Sequence, residues 1–277
     1  MYIIRKLQLK KLFNTRDLGG MPAGDGKVIK HDKLIRSGKL YKLPPDTVKK
    51  LKKKGLNLII DLRIFTEREE YPDTVIDGVE YIHLPVLCTA TPGITREKSM
   101  TKTMAIEARR LKDEFGTADN YMIAMYKMVL FSDEPVKLLR DCLRLIIDND
   151  GCVLWHCSGG KDRAGIVAML VESLLGVDEK IIVDDYVASH YFQHRKFFWN
   201  KVGLMISPLV PRFKHILYGM MAAKPKYITA TIDEIKARHG SVINYCKERL
   251  GITDEDIALM REKYLEPAKK GGLFFNE

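Results

Sequence analysis

The sequence predicts an α/β fold, a parallel sheet flanked by helices, and three observations carry that reading. Strand-like and helix-like segments alternate over residues 46–63 and again over 133–175, the order from which parallel sheets are built. An apolar run, Cys152-Val153-Leu154-Trp155, passes through a glycine-containing turn into a second apolar run, Ile166 to Leu175, which reads as strand, loop and helix. Asp61 closes one expected strand and Cys157 follows another, and such sheets bind ligands beyond the carboxyl ends of their strands.

Taken in order, residues 1–13 are a basic, partly apolar leader read as an edge strand. Beyond the turn-rich Pro22-Ala23-Gly24-Asp25-Gly26, short strands are expected at Lys27-Val28-Ile29 and Leu34-Ile35-Arg36. Asp46 caps a helix that runs to Lys54 and stops at Gly55. Leu58-Ile59-Ile60 is a buried strand delivering Asp61 and Arg63 to its end, and Val79 to Leu84 is a further strand closed by Pro85. From 88 to 131 strand signals vanish, and helices are expected over 95–115 and 118–131 as a helical insertion. Asp133-Glu134-Pro135 starts a helix whose Leu138, Leu139, Cys142, Leu145 and Ile146 recur at helical spacing. Asn149-Asp150-Gly151 turns the chain into the strand before Cys157; Gly176 ends the helix after it, and another begins near Asp178. Residues 186–225 concentrate Tyr186, Tyr191, Phe192, Phe197, Phe198, Trp199, Met205, Met220 and Met221, and two readings stand: helical core or a lid over the site. Helices at Tyr227–His239 and Ser241–Leu250 follow, and Thr253 with Asp256 forms a capping box for a last helix through Tyr264.

At 277 residues, with neither internal repeats nor low-complexity tracts, the chain reads as one domain, 1–277, able to bury a substantial core. Hydrophobic content of 46% and charged content of 30% describe an ordinary globular protein. The net charge of +10 favours anionic partners: phosphorylated ligands, acidic lipid or nucleic acid. Lys49 to Lys54 reads as a solvated helix face, and no interleaving of aromatic and basic residues suggests base stacking, so nucleic acid is not expected. Five cysteines without paired spacing argue for a reducing compartment, with Cys88, Cys142, Cys152 and Cys246 structural. Met1 to Lys11 is too charged for a signal peptide and no stretch is long enough to span a bilayer, so a cytoplasmic protein touching membranes only peripherally is expected.

The chemistry concentrates in His156-Cys157-Ser158-Gly159-Gly160-Lys161-Asp162-Arg163-Ala164-Gly165. A glycine-rich turn between strand and helix directs successive N–H groups into a concavity above the positive helix end, which holds a phosphate-like anion. The same field favours a thiolate over a thiol. Arg163 supplies a planar fork for two phosphoryl oxygens. The run is not a nucleotide-binding loop, because Asp162 stands after Lys161 where Ser or Thr would bind magnesium. His190 and His194 lie four apart without an evident third ligand, so neither a metal nor any other cofactor is expected. Nucleophilic attack on phosphorus by Cys157 needs a proton donor for the leaving oxygen, and Asp162 and Asp61 are both candidates. Lys161 is either a solvated lysine or a second cation for acidic substrates, and His156 holds the loop.

This signature resembles that of the cysteine-based tyrosine phosphatases of the bacterial, lipid- and dual-specificity type. Asn14-Thr15-Arg16-Asp17-Leu18-Gly19-Gly20, Arg36-Ser37-Gly38, Asp61-Leu62-Arg63 with Glu67, and His239-Gly240-Ser241-Val242-Ile243-Asn244-Tyr245 before Leu250-Gly251-Ile252 are similar to further motifs of that family, in the same order. The resemblance implies a tyrosine-phosphatase-like sheet of about four main strands with a helical lid or insertion. It implies Cys157 as nucleophile, Arg163 as phosphate clamp and Asp162 as the favoured acid. Ser158, Gly159, Gly160 and Lys161 would line the phosphate loop, where phosphate or sulfate would also bind, with Asp61 and Arg63 beside it. Arg16, Asp17 and Arg36 are expected to support rather than touch the ligand, while Arg63 could do either. Substrates would be phosphotyrosine, with phosphoserine, phosphothreonine or phosphoinositides as a wider range. One departure is Ala164, where the family often carries Thr or Ser whose hydroxyl eases breakdown of the phosphocysteine. It raises a second reading, a catalytically weak phosphate-binding module that traps substrate.

Overall fold

The computed structural model describes residue 4, residues 6–87, residue 110, residues 113–192 and residues 219–268. The central sheet contains β1 (Arg16–Asp17), β3 (Leu34–Ser37), β4 (Leu56–Asp61), β5 (Glu80–His83) and β6 (Cys152–His156) in the order β1-β3-β6-β4-β5. β3, β6, β4 and β5 run parallel and β1 pairs antiparallel with β3 at the edge. The four parallel strands match the expectation.

Helices cover the sheet because its strands are apolar on both faces. Within β6, Val153 and Trp155 pack into the larger core while Cys152 and Leu154 point into the smaller one; in β4, Leu58 and Ile60 alternate likewise with Ile59. The smaller core is closed by α1 (Pro45–Lys53), which buries Thr47 and Leu51 and leaves Lys49, Lys50, Lys52 and Lys53 in solvent. Pro45 sits at the start of that helix, where its missing N–H costs nothing, so Asp46 lies in the first turn and does not cap. A six-residue helix, α2 (Phe65–Glu70), follows β4. The larger core draws on α3 (Ala118–Phe131), α4 (Asp133–Asp148), α5 (Arg163–Leu174), α6 (Glu179–Phe192), α7 (Pro225–His239), α8 (Val242–Leu250) and α9 (Asp254–Tyr264). The Thr253–Asp256 capping box forms as expected, and Gly251 ends α8 in the left-handed region at φ 62°.

Three features differ from expectation. The edge strand is Arg16–Asp17, and among the described residues of 1–13 no strand forms: Lys11 and Asn14 have φ of 60° and 53°, which interrupts an extended run. β2 (Lys27–Ile29) leaves the main sheet and pairs antiparallel with β7 (Leu265–Pro267), close to the last described residue. α2 carries one buried residue, Glu67, so it has no apolar period to announce it. The expected helix over 95–115, Cys88, and the part of the core-or-lid segment from 193 to 218 lie largely or wholly outside the described residues. Within that segment Tyr186 and Met220 are buried, and Tyr191 is exposed. No helix among the described residues is long and apolar enough to cross a membrane.

Candidate active site

The loop from Cys157 to Asp162 leaves the carboxyl end of β6, the central strand, and enters α5 at Arg163. Register places Asp61 opposite His156 and Ser37 on its other side, so the ends of β4 and β3 wall the loop. Gly160 has φ 67°, and a Cβ there would stand 2.6 Å from the Ser37 carbonyl carbon and 2.7 Å from the Gly38 nitrogen. The loop therefore presses on β3 where no side chain fits.

Its carbonyls are pulled outward. Asn14 Nδ2 donates to Gly159 O at 3.0 Å, and Arg36 Nη2 donates to Gly160 O at 3.0 Å and Lys161 O at 3.2 Å. In a trans peptide the N–H opposes the C=O, so carbonyls held outward turn the following amides inward. The Gly160 N–H accordingly donates to Cys157 Sγ at 3.2 Å. The other side of Arg36 is anchored by Asp185 of α6, which also receives Arg16 Nε at 2.5 Å. Burial works against the Asp185 carboxylate, yet Arg16 and Arg36 outweigh it and hold its pKa below the ordinary carboxylate value. Arg16, Asp17 and Arg36 thus support the backbone; Asp17 accepts from the amides of Gly19 and Asp32 at 2.9 and 2.8 Å.

Glu67 of α2 organises the cation. Arg163 Nη1 meets Glu67 Oε2 at 2.7 Å and Nη2 meets Oε1 at 2.9 Å, while Ser158 Oγ donates to Oε1 at 2.6 Å. All three side chains are buried. This two-point contact fixes the guanidinium plane beside the loop.

Asp61 and Arg63, expected beside the loop, are bonded to each other in a buried cluster at the end of β4. Arg63 Nε and Nη2 donate to Asp61 Oδ1 and Oδ2, both at 2.8 Å, and Tyr81 and Asp73 complete the group. Burial raises the Asp61 pKa, but His156 and Arg63 outweigh it and hold it well below the ordinary carboxylate value. His156 Nε2 lies 2.9 Å from Asp73 Oδ2, which ties the end of β6 to this cluster. Asp61, Asp73 and His156 are close enough to share a cation, but Arg63 already supplies positive charge there.

Asp162 sits at the N-cap of α5 yet makes no side-chain cap. Its Oδ1 accepts instead from the Tyr126 hydroxyl at 2.5 Å and lies 3.2 Å from Lys161 Nζ. Lys161 is neither solvated nor at an open mouth: its ammonium donates to Met220 O at 2.7 Å and Ala222 O at 3.1 Å, and the residue is 1% exposed. Ala164 is fully buried and its carbonyl accepts from Trp155 Nε1 at 3.1 Å. Burial pushes Cys142, Cys152 and Cys246 up to about 12, as structural thiols require.

The structure thus gathers Cys157, Ser158, Gly159, Gly160, Lys161, Asp162 and Arg163 into one loop and sets Asp61 and Arg63 apart. Sequence reasoning assigned no role to Asn14, Glu67, Asp73, Tyr126 or Asp185. Two of them carried a signal: Asn14, which opens the motif Asn14 to Gly20, and Glu67, a carboxylate shortly after Asp61-Leu62-Arg63.

A model of the family described as the tyrosine phosphatase family matches residues 7–266. A Cupriavidus necator protein named "Putative tyrosine-protein phosphatase" is 26% identical over 263 residues, covering 94% of this chain and 88% of its own. A Mycobacterium tuberculosis protein named "Triple specificity protein phosphatase PtpB" is 24% identical over 274 residues, 92% of this chain and 97% of that one. A tyrosine-protein phosphatase of Nostoc commune is 29% identical over 173 residues, 62% of this chain and 53% of its own.

Proposed function

We propose, from the premise that this chain belongs to the tyrosine phosphatase family, that it hydrolyses phosphomonoesters through a phosphocysteine on Cys157. The thiolate attacks phosphorus, an S–P bond forms, and the P–O bond to the leaving group breaks as Asp162 gives that oxygen a proton. Arg163 and the loop amides hold the equatorial oxygens, whose charge they oppose. Water then attacks the phosphocysteine and returns a proton to Asp162, the S–P bond breaks, and inorganic phosphate leaves. No step requires a cofactor. The observation that carries the reading is the Gly160 N–H on Cys157 Sγ at 3.2 Å inside a loop whose carbonyls are tied outward.

Phosphotyrosine is the first substrate class. A wider range, phosphoserine, phosphothreonine and phosphoinositides, draws support from the name of the Mycobacterium tuberculosis relative and from the net charge of +10. A reducing compartment such as the cytoplasm suits the thiolate, and a single phosphatase domain over 1–277 is supported by the family match to residues 7–266. The test is phosphate release from an aryl phosphate, phosphopeptides and phosphoinositides by wild type, Cys157→Ser and Asp162→Asn. Release by wild type and none by Cys157→Ser is expected; no release from any substrate by wild type would overturn the reading.

A second reading follows from Ala164, which has no hydroxyl at the position where the family often carries Thr or Ser. Breakdown of the phosphocysteine is then the slow step, and the protein releases one equivalent of phenol in a burst before slow turnover. Stopped-flow assay of an aryl phosphate separates the two, since linear release from the first turnover excludes trapping.

A further inference from the structure

Asp162 is reached from outside its own loop by a chain of two phenols. Tyr126 projects from α3 and Tyr186 from α6; their hydroxyls are 2.6 Å apart, and the Tyr126 hydroxyl lies 2.5 Å from Asp162 Oδ1. The rings meet edge to face at a centroid separation of 6.1 Å, and both are buried. A carboxylate accepts, so Tyr126 donates to Asp162, and Tyr186 must then donate to Tyr126. Burial, with Asp162 and the partner phenol, pushes the Tyr126 pKa well above the ordinary value, so its hydroxyl stays a donor throughout the pH range of the reaction.

The geometry is asymmetric in a way that bears on proton transfer. Tyr126 and Lys161 both approach Oδ1, and among the described residues no hydrogen bond reaches Oδ2. An oxygen that already receives a phenol and an ammonium is a poor place for a further proton, because both donors would have to withdraw. The side chain is also not used as a helix cap, so nothing in α5 competes for its orientation. We infer that Tyr126, backed by Tyr186, is the positioning residue for proton donation to the leaving group: it pins Oδ1 of Asp162 and leaves Oδ2 to carry the proton that departs. This deepens the phosphatase reading above and rests on it. The proton moves from Oδ2 to the leaving oxygen as the P–O bond breaks, and Tyr126 keeps its own.

The test uses the dependence of rate on leaving group. Phenolate leaves poorly and needs a proton, whereas dinitrophenolate leaves without one. For Tyr126→Phe, kcat/KM on phenyl phosphate is expected to fall about ten-fold or more, up to the roughly 10²–10⁴-fold that a general acid contributes, while kcat/KM on dinitrophenyl phosphate changes little. Asp162→Asn should show the same selectivity, and the double variant should be no worse than Asp162→Asn. A role in packing alone lowers both substrates equally, and that outcome, or no loss on either, overturns the assignment. If Tyr126→Phe does not fold, Tyr186→Phe, which leaves Tyr126 in place, should show a smaller loss confined to phenyl phosphate; equal losses there would also overturn it. A wild type inactive on both esters refutes the phosphatase reading itself, whereas an active wild type with an unselective Tyr126→Phe refutes only the role of Tyr126.

Discussion

Glu67 grips Arg163 with both carboxylate oxygens, at 2.7 and 2.9 Å, from a helix that the chain forms nearly a hundred residues before the loop. The fork that should clamp a phosphoryl group is therefore oriented by another element, and the loop inherits its geometry from β4 and α2. Removing Glu67 would leave a buried guanidinium uncompensated. Glu67→Ala is expected to lose about 3–5 kcal/mol of stability, the usual cost of breaking a buried pair from one side. Urea denaturation checks this, and a variant as stable as wild type would show that Arg163 finds other anchors.

Gly160 meets two demands at once, a φ of 67° and backbone of Ser37 and Gly38 within 2.7 Å of any added Cβ. Gly160→Ala is expected to destabilise by more than about 1 kcal/mol, since alanine at positive φ loses more than its entropic gain returns. The same change should turn the Gly160 amide away from Cys157 and weaken competitive inhibition by vanadate or phosphate. Inhibition constants measured on folded protein decide the second point.

What the sequence discloses of this site follows from contiguity. Cys157, Asp162 and Arg163 lie in one turn between a strand and a helix, so local pattern suffices to find them. Leu58-Ile59-Ile60 and Cys152 to Trp155 are apolar runs, and Gly55 and Gly176, at φ 72° and 82°, end the helix before the first and the helix after the second. Asn14, Glu67 with Asp73, Tyr126 and Asp185 reach the loop or its neighbours from four separate parts of the chain, and no local signal records which strand lies beside which. The β2–β7 pairing was hidden for the same reason. Lys161 misleads differently: lysines are rarely buried, and this one is covered because residues 219–222 return across the loop and offer carbonyls to its ammonium.

His156 lies between Asp73 at 2.9 Å and Asp61 at 3.8 Å. Burial lowers its pKa, but the two carboxylates outweigh that, so the folded value stands above the ordinary one. A raised folded pKa contributes stability that is fully present below the unfolded value, about 6.5, and is lost as pH rises through the folded value. The carboxylate of Asp61 behaves oppositely, contributing above its unfolded pKa and losing that contribution in acid. Wild type should therefore lose stability from about pH 6.5 upward more steeply than His156→Gln, which has no imidazole to titrate. Chemical denaturation of both across that range measures the slopes, and parallel slopes would refute the assignment.

Arg36 stands between two structures: Nη1 pairs with Asp185 of α6, and Nη2 holds the carbonyls of Gly160 and Lys161. Both jobs need a planar fork with donors facing different ways, which an ammonium on a flexible stem does not reproduce. Arg36→Lys keeps a second positive charge opposite Asp185, so that this buried carboxylate is not left to Arg16 alone. Its stability is expected to fall by about 1–3 kcal/mol, the scale of lost hydrogen bonds involving a charged group. The loop should suffer more than the fold. With two carbonyls released, the amides after them are no longer held inward, so kcat/KM for aryl phosphates should drop even at temperatures where the variant is fully folded. A variant that loses stability but keeps wild-type kcat/KM would show that Asn14 and the Ser37–Gly38 backbone suffice to shape the loop.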